Sequence, residues 1–376
     1  MLKVLLVLLL WNAASAQNPI QKIEFSFNNS CENRKSEVTL ALTGDFLVHD
    51  ALYKRAVQSP DRFFSLVKKT VPLFKKADFS YLNLEGPTAM GIDAGGHDHG
   101  DIGFVYDLKV YSGTNFSFNY HPSIISDLKK LGIGIVSTSN NHALDRTSVG
   151  VDKTVEAFRQ QSDVAYVGTR LSTERSAPLY TITQVQGFNI AWVSCTEATN
   201  APKDKKNQLF YCYDSKYELF STLRELANRS DVDAVIVTPH WGREYSHVPS
   251  KSQTVYAKKF LEAGATAVIG AHPHVLQPWE KYVTADGRET LIAYSLGNFL
   301  AFQAGIEKKT SAIIYLRLQK DTRNKTSIAG AVYTPTYRDG YNVLPSRSSE
   351  VLDHASRFFG RSSLRMVEQR LWTPCP

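Results

Sequence analysis

The sequence places side chains that bind metals or transfer protons at the ends of several apolar runs. An acidic residue follows each of the first two runs, and later runs lead into asparagine and histidine. The members of this set are Asp45, Glu85, Asn141, His142, His240, His272 and His274. Carboxylate and amide oxygens suit Mn²⁺ or Mg²⁺, whereas imidazole nitrogens suit Zn²⁺, Fe and Mn²⁺. The residue types therefore predict a site for divalent cations.

Two of the histidines, His272 and His274, are separated only by Pro273. In an extended segment, side chains two residues apart point to the same side, so both rings can reach one centre. Two cations about 3.5–4 Å apart can activate water and stabilise an oxyanion. The joint pattern favours two divalent metal ions (Mn, Zn, Fe or Mg) over a set of unrelated structural histidines.

The runs that carry these residues alternate with helical patterns. Apolar residues recur at i, i+4 and i+7 in Ile124, Leu128 and Leu131, just before Gly132, which predicts a helix. A helical face is also predicted from Phe63 to Phe74. The predicted strands are Val38–Thr43, Phe79–Leu84, Ile133–Thr138, Phe188–Ser194, Val232–Thr238, Thr266–Gly270 and Leu291–Leu296.

This alternation predicts an α/β fold with considerable parallel pairing. In an open α/β sheet, the ligand crevice lies outside the carboxyl ends of the strands. Since the polar residues follow those ends, we expect them to converge on one site.

The chain begins with a pattern typical of a secretory signal peptide. Lys3 precedes the apolar stretch Val4–Trp11, and Ala14-Ser15-Ala16 supplies a cleavage site. We predict a signal peptide over residues 1–16, an N-terminal extension over 17–37, a main domain over 38–345 and a C-terminal helical extension over 346–376. Val351–Arg370 is predicted as a helix packed outside the core.

Composition limits the class of protein. The 376 residues are 43% hydrophobic and 21% charged, with a net charge of +7, which is typical of a globular protein and excludes disorder or collagen. The body of the chain has no apolar run of about 18 residues, which excludes a polytopic membrane protein. The basic residues are spread out, so they favour an anionic substrate or surface and give no indication of nucleic acid.

The cysteines and asparagines support secretion. Four cysteines allow three pairings. We predict Cys195–Cys212, which flanks one loop, and Cys31–Cys375, near the two chain ends, rather than a zinc site, because no C-x-x-C spacing occurs. Glycosylation acceptors of the N-x-S/T type indicate a eukaryotic secretory pathway, and they are Asn28, Asn115, Asn228 and Asn324.

Six ordered motifs carry a family resemblance. They are Gly44-Asp45, Asn83–Pro87 (NLEGP), Asn140–Asp145 (NNHALD), His240–Tyr245 (HWGREY), Gly270–Val275 (GAHPHV) and Tyr294–Phe299 (YSLGNF). Together they resemble the bacterial capsule-synthesis CapA family, which is linked to poly-γ-glutamate and belongs to the calcineurin-like metallophosphatase superfamily. The resemblance spans roughly Val38 to Pro345. It implies a four-layer α/β/β/α metallophosphatase-like sandwich with two mixed sheets inside.

The resemblance also implies roles for individual residues. Asp45 and His274 resemble ligands of a first metal, and Glu85 resembles the carboxylate that bridges both metals. Asn141, His240 and His272 resemble ligands of the second metal. His142 resembles the catalytic histidine that protonates a leaving group or stabilises the transition state.

Two further residues are assigned by their positions beside these motifs. Asp145 lies three residues after His142 and is expected to orient it. Arg243 is suited to hold a substrate carboxylate through two hydrogen bonds, and an ordinary ion pair is the alternative. One departure concerns Leu47, which occupies the position where the phosphatase D-x-H signature has histidine. A second is that the bridging position holds Glu85 rather than aspartate.

Three functions fit these residues. The first is a secreted metal-dependent hydrolase that cleaves poly-γ-glutamate or a related amide or ester. The second is a metal-dependent phosphoesterase, against which Leu47 argues. The third is a non-catalytic accessory protein that binds poly-γ-glutamate and joins a membrane-bound synthase complex.

Overall fold

A computed structural model of the chain describes residues 23–28, 34–114, 117–200, 202–213 and 218–373. The predicted signal peptide, Cys31, Cys375 and Asn115 lie outside these residues. Within the described ranges, no helix has the length and apolar character needed to cross a membrane.

The described residues form strands and helices that alternate along the chain. The strands are β1 (Arg34–Phe46), β2 (Phe79–Leu84), β3 (Ser112–Thr114), β4 (Ser117–Asn119), β5 (Ile135–Ser137), β6 (Ala165–Val167), β7 (Tyr180–Val185), β8 (Phe188–Thr196), β9 (Ala234–His240), β10 (Ala267–Ile269), β11 (Leu276–Val283), β12 (Glu289–Leu296), β13 (Asn298–Leu300), β14 (Thr310–Asp321), β15 (Thr326–Asp339) and β16 (Asn342–Pro345).

The helices are short, and a 3₁₀ turn at Lys68–Thr70 lies between the second and third. They are α1 (Asp50–Val57), α2 (Phe64–Val67), α3 (Val71–Phe74), α4 (Ser123–Leu131), α5 (Thr147–Gln160), α6 (Glu218–Asn228), α7 (Lys251–Glu262), α8 (Ile306–Lys309) and α9 (Ser349–Phe359).

Two mixed sheets contain most of the strands. The first has the order β16-β15-β14-β1-β2-β5-β6, with β13 paired to the end of β1. In it, β1, β2, β5 and β6 are parallel, and β14 to β16 add antiparallel neighbours. The second has the order β11-β12-β10-β9-β8-β7, in which β8, β9, β10 and β12 are parallel. The parallel strands of each sheet therefore end at one edge.

The packing gives the four-layer α/β/β/α sandwich that the resemblance implies. Alternate residues of a strand face opposite sides, so Leu40 of β1 and Trp192 of β8 enter a core between the sheets. Ala41 faces outward and joins a core with Leu128 of α4. On the other side, the outward face of the second sheet packs against α6 and α7, as with Phe260.

Several predicted elements coincide with observed ones. The strand Phe79–Leu84 is found with the predicted bounds, and α4 ends just before Gly132, whose φ of +100° suits glycine. The helical face predicted from Phe63 to Phe74 is broken into α2, the 3₁₀ turn and α3. Pro72 near the start of α3 accounts for the break, because proline is tolerated in a first turn and not inside a helix.

The prediction for the C-terminal helix is wrong in its extent and its packing. The helix α9 ends at Phe359, and Gly360 then adopts a φ of +74°. Ala355 and Phe359 are fully buried in the core between the sheets. The apolar face of α9 therefore closes that core instead of lying outside it.

The cysteine and sequon predictions fall partly within the described residues. Cys195 and Cys212 form the predicted disulfide. Asn28, Asn228 and Asn324 are exposed, as a glycan would require. Their glycosylation stays a prediction.

Candidate metal centre

The two sheets direct their carboxyl ends to one place. From the first sheet, Asp45 lies in β1, Glu85 follows β2, and Asn141 and His142 follow β5. From the second sheet, a histidine ends β9 and two more follow β10. The structure therefore brings together all the predicted metal ligands, and the second sheet contributes His240, His272 and His274.

A first donor set consists of Asp45, Glu85 and His274, whose ligand atoms lie within 4.8 Å of one another. Nδ1 of His274 is 3.4 Å from Oδ2 of Asp45. Nε2 of His274 is 3.9 Å from Oε1 of Glu85. All three side chains are buried, at 0%, 0% and 3% exposure.

A second donor set shares Glu85 and adds His240 and His272. Nε2 of His240 lies 3.5 Å from Oε1 of Glu85 and 3.1 Å from Nδ1 of His272. Oδ1 of Asn141 is 2.8 Å from the same Nε2. One carboxylate, one amide and two imidazoles thus direct four donor atoms into one small volume. This number and mixture of ligands suit a divalent cation.

Glu85 provides the test of whether cations fit this site. It is fully buried, and neither carboxylate oxygen has a hydrogen-bond partner among the described residues. Burial raises the pKa of Glu85 to about 8. An isolated buried carboxylate is unfavourable by several kcal/mol unless a charge compensates it. A cation bound by either donor set would supply that charge, since Glu85 belongs to both.

The histidines of the second set are in the form that binds metals. Burial lowers the pKa of His240 to about 3. Burial, together with the neighbouring His240, lowers the pKa of His272 to about 3. Both rings are therefore neutral near pH 7, with nitrogen lone pairs available.

In the first set, by contrast, the surroundings raise the pKa of the histidine. Burial acts to lower the pKa of His274, but the charge of Glu85 and the hydrogen bond with Asp45 outweigh it and raise the value to about 9. Burial acts to raise the pKa of Asp45, but His274 and His240 outweigh it and lower that value. In the absence of a cation, protonated His274 thus compensates the charge of Asp45, 3.4 Å away.

Two asparagines that the sequence analysis did not assign orient these ligands. Oδ1 of Asn298 lies 2.9 Å from Nδ1 of His274 and leaves Nε2 directed towards Glu85. Nδ2 of Asn83 donates to Asp45 at 2.9 Å and lies 3.2 Å from Nδ1 of His240. Such contacts fix a ligand's ring orientation. Both residues lie inside the quoted motifs NLEGP and YSLGNF, which was the available signal.

His142 lies at the edge of the cluster with Asp145 behind it. Nδ1 of His142 is 2.7 Å from Oδ2 of Asp145. The backbone N–H of Phe118 also donates to that oxygen, at 2.8 Å, and its ring packs edge-on at 4.7 Å from His142. The predicted pairing of Asp145 with His142 is thus present, and its catalytic role stays a prediction.

Asn200 is a site residue that no sequence motif indicates. Its backbone N–H donates to the carbonyl of Asn141 at 2.8 Å. Its amide nitrogen lies 3.5 and 3.4 Å from the two ring nitrogens of His142, so it contacts the ring without one directed hydrogen bond. The loop that carries Asn200 begins and ends beside the Cys195–Cys212 disulfide, which holds it against the cluster.

The segment from His272 to His274 is not extended, contrary to expectation. His272 has a φ of +98° and His274 a φ of +59°. The two rings consequently enter different donor sets, with centroids 6.0 Å apart. Left-handed backbone in such residues costs of order 1–3 kcal/mol and is concentrated at functional sites.

Leu47 and Arg243, the two remaining positions considered in the sequence, contribute no ligand to the cluster. Leu47 is 2% exposed and packs in the apolar core, so nothing replaces the phosphatase histidine at that position. Arg243 is exposed, and its side chain makes no hydrogen bond or ion pair within the described part of the chain. Its role in binding a carboxylate stays a prediction.

The motifs and this architecture agree with a comparison against known families. The profile of the bacterial capsule synthesis protein PGA_cap matches residues 39–303, which is more than half of the chain. The chain belongs to the PGA_cap family. It is 26% identical over 309 residues to the capsule biosynthesis protein CapA of Bacillus anthracis, covering 80% of this chain and 67% of that one.

The chain is also similar to a second CapA protein and to a solved structure. The chain is 27% identical over 286 residues to the PGA biosynthesis protein CapA of Bacillus subtilis (strain 168), covering 76% of this chain and 68% of that one. The NAD nucleotidase NadN of Haemophilus influenzae is 11% identical with a TM-score of 0.45, and the match covers 88% of this chain and 57% of that protein.

Proposed function

We propose that this protein is a metal-dependent hydrolase that cleaves amide bonds of poly-γ-glutamate or of a related amide or ester substrate. The observation that carries the proposal is Glu85, a fully buried carboxylate with no hydrogen-bond partner among the described residues, shared by two sets of metal-binding atoms. Such an arrangement has an unfavourable charge that a pair of cations would balance. Divalent cations bound there supply Lewis acidity and lower the pKa of water.

The residues around the cluster supply the remaining chemistry. Asp145 accepts a hydrogen bond from Nδ1 of His142, so Nε2 is left to exchange a proton with a leaving group. An amine needs that proton, because it is a poor leaving group as an anion. Phe118 packs against the ring and excludes water from one side.

The substrate class follows from charge and from the relatives. The chain has a net charge of +7, which favours an anionic polymer over a cationic one. One relative is named as a protein of PGA biosynthesis. Poly-γ-glutamate combines many carboxylates with amide bonds, so it supplies both the charge and the bond to be cleaved.

The test combines metal content with polymer length in one sample. The protein would be purified from a glycosylating secretory host, its metals measured by elemental analysis, and poly-γ-glutamate length followed with added Mn²⁺. We expect shortening that EDTA and His240→Ala abolish. His97→Ala is the matched control, since that histidine is exposed on a surface loop. A folded, metal-loaded protein that cleaves neither this polymer nor other amides and esters would contradict the proposal.

A second candidate function is a non-catalytic accessory protein that binds the polymer. It is favoured by Leu47, because a buried apolar side chain stands where a metal-binding histidine is expected. Polymer binding without turnover, unchanged in His142→Ala, would support this candidate. Shortening that requires His142 would exclude it.

A further inference from the structure

Three exposed aromatic side chains stand beside the metal-binding cluster. We call Tyr245, Phe302 and Tyr341 the aromatic rim, and their exposed fractions are 47%, 39% and 41%. The ring of Tyr245 lies 5.9 Å from that of His274. Phe302 and Tyr341 stack with centroids 5.5 Å apart and planes at 8°. Large rings exposed next to a candidate centre require an explanation, since their burial elsewhere would be favourable.

The aromatic rim is held in place by its backbone. Tyr245 has a φ of +61°, which is uncommon for a bulky residue, and its N–H donates to the carbonyl of Pro273 at 2.7 Å. The N–H of Phe302 donates to Nδ1 of His49 at 3.2 Å. The guanidinium of Arg338 lies 4.7 Å from the ring centre of Phe302. The rings are therefore fixed before any ligand arrives.

One amide joins the aromatic rim to the cluster. Asn298, whose Oδ1 faces Nδ1 of His274, donates through Nδ2 to Oε1 of Gln303 at 2.9 Å and to the carbonyl of Lys308 at 3.0 Å. Nε2 of Gln303 in turn donates to the hydroxyl of Tyr245 at 3.3 Å. The positions of the rings and of a proposed metal ligand are thus set by the same contacts.

The charges beside the rings favour an anionic ligand. Nζ of Lys308 lies 5.0 Å over the ring of Tyr245. Neither Lys308 nor Arg338 has a carboxylate within ion-pair distance in the described ranges. The guanidinium of Arg338 bonds to the carbonyls of Gln303 and Gly340 instead. Three acidic groups lie nearby: Glu244 beside Tyr245, Glu307 beside Lys308 and Asp339 beside Arg338. None of them forms an ion pair with Lys308 in the described ranges, so its ammonium group is available to a ligand carboxylate.

We propose that the aromatic rim and Lys308 form a substrate-binding subsite for an acidic peptide chain. The methylene groups of its side chains or backbone would lie against the exposed parts of the rings, and a carboxylate would pair with Lys308. This inference rests on the proposed function, because the subsite would lead the chain to the cluster. It adds where the chain binds and which of its groups are recognised.

The experiment measures binding separately from turnover. A fluorescently labelled poly-γ-glutamate oligomer is titrated with metal-loaded protein, and anisotropy gives the dissociation constant. We expect Phe302→Ala and Lys308→Gln each to weaken binding roughly three- to tenfold. Metal content should stay at the wild-type value. Added salt should weaken wild-type binding more than Lys308→Gln binding, because screening acts on the charge pair.

Lys259→Gln is the matched control, since Lys259 lies over the ring of Tyr256 on α7 at 4.8 Å, in a similar pair away from the cluster. Affinity unchanged in both Phe302→Ala and Lys308→Gln would overturn the subsite. So would equal affinity for a neutral polyglutamine oligomer, or no binding of the acidic oligomer by the wild type. If the protein shows no turnover but Phe302→Ala and Lys308→Gln both weaken polymer binding, the subsite would be supported and the hydrolase contradicted.

Discussion

Glu85 illustrates how much of this site depends on single side chains. Its carboxylate is buried without a hydrogen-bond partner among the described residues, and it lies within reach of both donor sets. Histidines alone would not require a cation, because His240 and His272 are neutral near pH 7. The carboxylate makes the difference, since it can be stabilised either by a cation or by taking up a proton.

Glu85→Gln should therefore have opposite effects in the presence and absence of metal. In metal-free protein near pH 7, we expect a gain of about 1–3 kcal/mol in the free energy of unfolding, because folding obliges Glu85 to take up a proton and a neutral amide needs none. In metal-supplemented protein, the variant should lose bound metal and become less stable than the wild type. Denaturant unfolding with and without EDTA measures both, and Glu225→Gln on the exposed face of α6 is the control. A variant that keeps full metal content would refute this role of Glu85.

Asp145→Asn tests the positioning of His142. We expect kcat on an amide substrate to fall about 10- to 100-fold with metal content unchanged, because the ring loses the contact that orients it. An activated ester, whose leaving group needs no proton, should be much less affected. Asp163→Asn, at an exposed carboxylate, is the control. Equal losses on the amide and the ester would indicate a general structural defect instead.

The strands that carry the metal ligands were predictable from the sequence, and their neighbours in the sheet were not. The run Phe79–Leu84 is apolar and ends in Glu85, so its position in the chain indicates both the strand and the residue at its end. The strands β14 and β15 carry no site residue, and β15 contains Pro335, which argues against a central strand. The two strands pair with each other as sequence neighbours, but the place of β14 beside β1 depends on pairing with a distant segment, which local sequence does not encode.

The helix α9 carries His354, whose surroundings disfavour the protonated, charged form of its ring. His354 is 7% exposed, and its Nε2 has no hydrogen-bond partner among the described residues. Burial, with His247 and Arg357 nearby, lowers the pKa of His354 to about 4, although Glu307 acts in the other direction. Unfolding allows this ring to take up a proton at an ordinary pKa near 6.5.

The stability of the folded protein should consequently decline as the pH falls from about 6.5 to 4, because in that range the unfolded chain binds a proton that the native His354 does not. Below the native pKa both states are protonated and the effect stops growing. His354→Leu should remove roughly 1–3 kcal/mol of this decline. Urea unfolding of metal-loaded wild type and variant at pH 7, 6, 5 and 4 gives the difference. Identical pH dependence in the two proteins would rule out His354 as its source.

The whole molecule explains why some site residues escape prediction. Tyr245, Phe302 and Tyr341 come from three separate segments, and only the assembled sandwich makes them neighbours. Asn200 reaches His142 because a disulfide-bounded loop folds back over the cluster. By contrast, residues at the carboxyl ends of parallel strands share an edge in any such sheet, so their convergence could be inferred without knowing how the two sheets face each other.

The metal ions should also act as a link between the two halves of the sandwich. Asp45 and Glu85 come from the first sheet and His240, His272 and His274 from the second, so a cation bound by both halves stabilises only the folded state. By mass action, metal at about 100 times its dissociation constant adds about 2.7 kcal/mol to the free energy of unfolding. We expect Tm to rise with the logarithm of Mn²⁺ or Zn²⁺ concentration and EDTA to reverse the rise. The slope should be smaller in His240→Ala, which removes a ligand of the second donor set only, and should be unchanged in His97→Ala. If elemental analysis shows that EDTA removed the metal while Tm is unchanged, the cluster does not join the two sheets through a cation.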